Sequence, residues 1–160
     1  MSSLVWTAFR GAVAGTAATW VMDRVTTRVL EAQSPEDTAR EQAAWPNGKP
    51  SVENLFDKAA ARLKIRLRPD ARETAIDLTH YALGAIPGMG YALLRRRVPL
   101  LGAGHGLVYG LLLFVINDEF MNTALGLAGP PEAYPASSHV RGLIGHVALG
   151  VATDIGLTGA

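Results

Sequence analysis

Twenty consecutive residues without a formal charge, Val98 to Asn117 (VPLLGAGHGLVYGLLLFVIN), constrain this chain more than any other feature. A helix of that length spans roughly 30 Å, the thickness of a bilayer's hydrocarbon core. The run therefore predicts a membrane-embedded helix. Overall composition does not decide the matter, because 49% hydrophobic residues is also ordinary for a water-soluble domain. Distribution is more informative. Residues 31–74 hold sixteen of the twenty-nine charged residues, eight of each sign, and the remainder is sparsely charged and rich in Gly, Ala, Leu and Val.

Three further apolar segments accompany the first. The expected spans are about 4–24, 74–94, 98–121 and 138–157, with a polar loop over 31–73. Span one contains Arg10 and ends at Asp23-Arg24, and span two carries Asp77 and His80 and stops at Arg95-Arg96-Arg97. Span four carries His139, Arg141, His146 and Asp154. Glycine placement unites them. Gly11 and Gly15, Gly84 and Gly88, Gly102, Gly106 and Gly110, and Gly142, Gly145 and Gly150 recur at helical spacing. In water, each mid-helix glycine costs roughly 1 kcal/mol against alanine. In lipid, close backbone approach is a main source of helix association, so such grooves are expected there. The reading is an all-α chain, a single membrane domain over 1–160, folded as an antiparallel four-helix transmembrane bundle. The competing reading is a loosely packed soluble helical bundle.

The polar loop predicts two more elements. Ser34-Pro35-Glu36-Asp37 has the form of a helix start, with proline at the first helical position and acids in the first turn. After a turn at Trp45 to Pro50, residues Ser51 to Lys64 read as an amphipathic helix capped by Ser51, with Val52, Leu55, Phe56, Ala59, Ala60 and Leu63 on its apolar side. This helix either lies on the membrane surface beside Arg62, Lys64, Arg66 and Arg68 or covers the ends of the spans.

Several functions are disfavoured. A net charge of +1 gives no electrostatic case for nucleic acid. The absence of cysteine removes disulfides, thiolate catalysis and Cys-based zinc sites. The first fifteen residues lack the features of a removable signal peptide. No nucleophile–base pair, phosphate loop or metal motif is visible, so no catalytic residue is assigned. A metal site is chemically possible, since His and carboxylate suit Zn, Mn or Fe, although no local spacing demands one. His139 and His146 stand about 10 Å apart along a helix, too far to share one metal.

Antiparallel topology does gather ionisable residues. Residues late in spans one and three share a depth with residues early in two and four. Asp23, Asp77, His80, Asp118, Glu119, His139 and His146 should therefore form a polar cluster near one membrane face. Glu73, Asp77, His80, Gly84 and Gly88 share one stripe, as do His139, Gly142, His146, Gly150 and Thr153. Ionisable groups within spans usually face a bundle interior or an aqueous cavity. The functional expectation is a vestibule binding a cation, a proton or a small polar ligand. The plainer expectation is interfacial caps and ion pairs. His105 is expected as a hydrogen-bonded core residue, and Asp154 as a partner for the start of span three. A different class of function, a structural or accessory subunit whose glycine faces bind a second copy or another membrane protein, fits the same grooves.

Arg95-Arg96-Arg97 in a short connection places that turn and both termini in the cytoplasm by the positive-inside rule, whereas Arg62 to Arg72 argue the other way. The motifs His80-Tyr81-x-x-Gly84 continuing to Gly90-Tyr91, the ladder Gly102 to Gly110, and Gly145-His146-x-x-x-Gly150 resemble the YagU-like family of small bacterial inner-membrane proteins. The resemblance covers roughly the last half of the chain. It implies a multi-pass bacterial inner-membrane location, with the lipid bilayer as partner, and supplies no reaction or substrate.

Overall fold

The computed structural model describes residues 3–159, and among these every regular element is helical. Six helices are present: α1 (Ser3–Glu31), α2 (Pro35–Ala43), α3 (Ser51–Leu63), α4 (Pro69–Leu94), α5 (Ala103–Leu113) and α6 (Ala136–Thr158). Helix α5 is preceded by a 3₁₀ turn, Pro99–Gly102, and runs on through a π-helical stretch, Phe114–Met121, into a last α turn, Asn122–Ala124. The long elements extend beyond the expected spans, α1 to Glu31 and α4 back to Pro69. Two described helices, Pro99–Ala124 and Ala136–Thr158, are long and apolar enough to cross a membrane.

Local chemistry explains the boundaries. Ser34 caps α2 by accepting a hydrogen bond from the Asp37 N–H at 3.1 Å, with Pro35 at the first helical position. The Trp45–Pro50 turn forms as expected, and Asn47 and Gly48 take left-handed backbone there. Helix α3 begins at Ser51 itself, one residue earlier than a Ser51 cap requires, with Pro50 in the cap position, and ends where Lys64 turns left-handed. Helix α4 continues through Pro87.

The four long helices pack in the order α4, α1, α6, α5, and each neighbouring pair runs antiparallel. Gly11 lies against Gly88 and Gly15 against Gly84, and a methyl on Gly88 would sit 2.5 Å from the Gly11 carbonyl oxygen. Gly106 and Gly110 lie against Gly150 and the His146 backbone in the same way. Between α1 and α6, Met22 and Thr26 pack on Gly145, Ala14 packs on Gly156, and Arg10 donates to the Leu157 carbonyl at 2.9 Å. The expected glycine grooves are thus helix contacts. Gly102 is the exception, since it lies in the 3₁₀ turn before the groove.

What the helices bury is small. The tightly packed positions are glycines, Ala14, Ala18, Thr19, Ala92 and Thr153, with Tyr91, Tyr109 and Leu149 as the larger members. The large apolar side chains point outward: Trp6, Phe9 and Trp20 on α1, Leu78 and Ile86 on α4, and Ile116 and Phe120 beyond α5 are all exposed.

Candidate functional site

The polar end of the helices is built from the residues upward as a set of histidine–carboxylate pairs. Each pair bridges two elements, because each partner sits on a stripe that faces a neighbour. His80 Nε2 on α4 lies 2.8 Å from Asp23 on α1. His139 Nδ1 on α6 lies 2.6 Å from Glu119, and its Nε2 lies 3.0 Å from the Pro131 carbonyl. His146 Nδ1, also on α6, lies 3.4 Å from Asp118 and 3.0 Å from the Gly142 carbonyl one turn back. Consecutive residues of the π-helical stretch, Asp118 and Glu119, therefore both reach α6. Local π winding frequently marks functional sites.

Six of the seven residues expected in the cluster meet in these pairs. Asp77 does not. It is exposed on α4, with no hydrogen bond or ion pair among the described residues. The closest approach of α1 and α4 is at Gly11–Gly88 and Gly15–Gly84. Thr19 and then the Asp23–His80 pair intervene toward the polar end, and Asp77 lies a turn beyond them. His105 is not a core residue either. It sits in a left-handed turn, Gly104-His105-Gly106, with its side chain 87% exposed and Nδ1 4.0 Å from Asp154.

The polar segment roofs this end. Glu41 on α2 is buried and accepts from Arg141 at 2.5 Å, from Ser138 at 2.8 Å and from Gln33 at 3.1 Å. Burial pushes the Glu41 carboxyl up, but the hydrogen bonds from Arg141, Gln33 and Ser138 outweigh it and hold the carboxyl below its ordinary value. Helix α3 is a cover, one of the two placements expected of it. Its buried Asn54 donates to the carbonyls of Pro46, Lys49 and Leu127 at 3.0, 2.8 and 3.1 Å. Lys58 donates to Leu125 and Gly126 carbonyls on the same turn. Sequence reasoning missed Glu41, which looked like any acid in a charged loop. Its partner Arg141 lies 100 positions away.

Two adjoining cavities occupy the space beneath this roof. One, of about 290 Å³, is lined by Glu41, Trp45, Glu119, Tyr134, His139 and Arg141. The other, of about 420 Å³, lies between α4 and α5 and is lined chiefly by Val52, Leu55, Leu83, Leu113, Met121 and Leu149, with His80, Asn117 and His146 on its wall. Met22, Ser51, Asp118 and Asn122 line both. Among the described residues, no group of three or more His, Asp or Glu side chains is arranged to hold a metal ion.

A second polar centre lies at the opposite end. Asp154 is buried on α6, where it accepts from the Tyr91 hydroxyl at 2.6 Å and from Arg95 at 2.7 Å. Tyr91 stacks on Tyr109 with ring centroids 4.4 Å apart. The partnership of Asp154 with the start of span three thus extends to α4. His146, Gly150 and Asp154 step by four, and that spacing was the available signal for its burial.

No protein-family model matches the chain, and no curated protein or solved structure matches it either.

Proposed function

We propose that this is a small multi-pass membrane protein with a polar vestibule that takes up and releases protons. The observation that carries the reading is the pairing of histidines. Each of the four stands within 4.0 Å of a carboxylate on another element. Imidazole is the side chain whose unperturbed charge changes between roughly pH 5 and 8, so such pairs are suited to store and pass a proton near neutrality. Three of the pairs lie at one end, around the two cavities.

The membrane part of the proposal is supported by the inverted distribution of side-chain size. Small residues are inside, and Trp, Phe, Leu and Ile are outside on all four long helices. A water-soluble monomer rarely exposes apolar surface so broadly. In lipid the arrangement is natural, because helices associate through close backbone approach. On this reading the four long helices form a transmembrane bundle. The Arg95–Arg97 turn and both termini lie in the cytoplasm, and the α2–α3 roof lies on the other side. Labelling of Arg96→Cys and Glu132→Cys, both exposed positions, by a membrane-impermeant maleimide tests this: Glu132→Cys reacts from outside, and Arg96→Cys only after the membrane is opened.

Proton uptake tests the site. The purified chain in lipid nanodiscs is taken from pH 8 to pH 5 with a dissolved pH-sensitive dye. The folded triple variant His80→Gln, His139→Gln, His146→Gln should bind up to about three fewer protons than the wild type, one for each imidazole removed. Equal uptake would overturn the proposal.

A further inference from the structure

We infer that the two adjoining cavities form one site for an amphiphilic organic cation, with its head in the polar chamber and its chain in the apolar one. The inference deepens the vestibule reading and rests on it. Three observations converge.

The first is shape. The chambers, of about 290 and 420 Å³, share the wall formed by Met22, Ser51, Asp118 and Asn122. Together they fall within the roughly 300–1,000 Å³ that small-molecule sites occupy. The second is division of polarity. The larger chamber opens between α4 and α5 and is lined by leucines and Met121 beneath the apolar side of α3, a lining suited to a hydrocarbon chain. Of its polar groups, Ser51, Asp118 and Asn122 also line the smaller chamber, whereas Thr19, His80, Asn117 and His146 line the larger one alone.

The third is charge and aromatic lining. In the smaller chamber three carboxylates, Glu41, Asp118 and Glu119, face one guanidinium, Arg141. Arg141 is engaged by Glu41 and Gln33. With Glu41 taken up by Arg141, the Asp118 and Glu119 carboxyls are the remaining acidic groups on the chamber, each beside an imidazole. Trp45, Phe114 and Tyr134 line the same space. Aromatic faces beside carboxylates are the recognised means of holding an ammonium group, through attraction to the ring faces and to the anions. An anionic head would meet Asp118 and Glu119 instead.

Trp45 supplies the readout. In a Trp6→Phe, Trp20→Phe background, both exposed positions, Trp45 is the remaining indole. Decyltrimethylammonium is titrated into protein-loaded nanodiscs, with empty nanodiscs as the blank. Saturable change in Trp45 emission is expected, weakening at least about tenfold in Asp118→Asn, the equivalent of about 1.4 kcal/mol. Glu119→Gln serves as a second variant, and helical content by circular dichroism confirms that each is folded. Leu113→Phe with Met121→Phe, which narrows the apolar chamber, should also weaken binding. Tetramethylammonium, a head without a chain, should bind far more weakly. Equal response to decyl sulfate, or unchanged affinity in both folded acid variants, overturns the inference. Loss of cation binding with proton uptake intact would defeat this inference alone, whereas absent proton uptake would defeat the vestibule reading itself.

Discussion

At the end where Arg95–Arg97 turn the chain, the long helices meet chiefly backbone against backbone, with the Asp154–Tyr91–Arg95 centre joining α6 to α4. At the end under the α2–α3 roof, they meet through side chains. The first contact is made by Gly11, Gly15, Gly84 and Gly88 and by Gly106, Gly110 and Gly150, which leave no room for a methyl group. The second is made by Asp23–His80, Asp118–His146, Glu119–His139 and Glu41–Arg141. The glycine end fixes the crossing of the helices. The polar end, spaced by longer side chains, encloses two cavities. Rigid association and an accessible interior are thus separated along the same helices.

The sharpest way to break that comparison is to put bulk at the glycine end. Gly15→Leu would drive a side chain into the Gly84 backbone, which cannot move as a flexible side chain can. Overpacking typically costs about 1–3 kcal/mol and more where backbone is displaced, so we expect this variant to lose its folded state in thermal unfolding in detergent. Gly90 is the control, since nothing lies within 4 Å of a methyl placed there. Gly90→Ala should unfold with the wild type. If the two substitutions behave alike, backbone contact is not what holds α1 to α4.

At the polar end the largest effect is expected from Arg141→Ala. It leaves Glu41 buried without its cation, and breaking a buried pair typically costs about 3–5 kcal/mol. The loss should appear as early unfolding of the roof, read by hydrogen exchange across 33–44. The double variant Glu41→Gln, Arg141→Ala should recover part of it, because no charge is then left unpaired. No recovery would mean that Arg141 acts through packing rather than through the pair.

A smaller effect is expected from Asn54→Ala. It removes one amide that serves three carbonyls and costs about 1–3 kcal/mol, as for other buried groups left unsatisfied. Exchange should rise over 46–63 and 125–129 together while α1 and α4 stay protected. Rise in one segment only would show that Asn54 does not join α3 to the Leu127 turn.

The difference between the two ends also explains how far the sequence could be read. Glycine contacts are local patterns repeated on each helix, so Gly11, Gly15, Gly84 and Gly88 announce their groove by spacing alone. The common level of His80 and His139 followed from antiparallel alternation, and they pair with Asp23 and Glu119; His146, two turns further along α6, meets Asp118. The Ser34-Pro35 start was equally plain, because capping is chemistry among neighbours. What could not be read depends on distant contacts or on unusual backbone. Nothing near Glu41 foretells Arg141. No periodicity distinguishes the π-helical stretch at Phe114–Met121 from the α-helix around it. The left-handed turn at Gly104-His105-Gly106 reads as part of a glycine ladder, which displaced His105 from the expected core. Asp77 shares a stripe with His80 and Gly84, yet a shared stripe does not supply a partner: α1 runs on to Glu31, and Asp77 is exposed all the same.

The smallest effect concerns the ion pairs that attach α3 to α4, and its sign follows from their carboxyls. Hydrogen bonds from Arg72 and Lys49 hold the Glu53 carboxyl below its ordinary value, and bonds from Lys49 and Arg72 do the same for Asp57. A carboxyl whose folded value is depressed contributes stability that is present above its unfolded value and lost as pH falls through the folded one. Docking of α3 should therefore hold near neutral pH and loosen below the ordinary carboxylate range, roughly pH 4. The four side chains are 26–37% exposed, so screening keeps the effect small, roughly threefold in exchange rate. Hydrogen exchange over 51–63, corrected for its intrinsic pH dependence, should rise between pH 6 and pH 3. The rise should vanish in Glu53→Gln, Asp57→Asn and shrink in high salt. A rise that survives both would move the acid sensitivity to Glu41. Its buried pair with Arg141 is screened less, and its loss would open the roof over 33–44 as well.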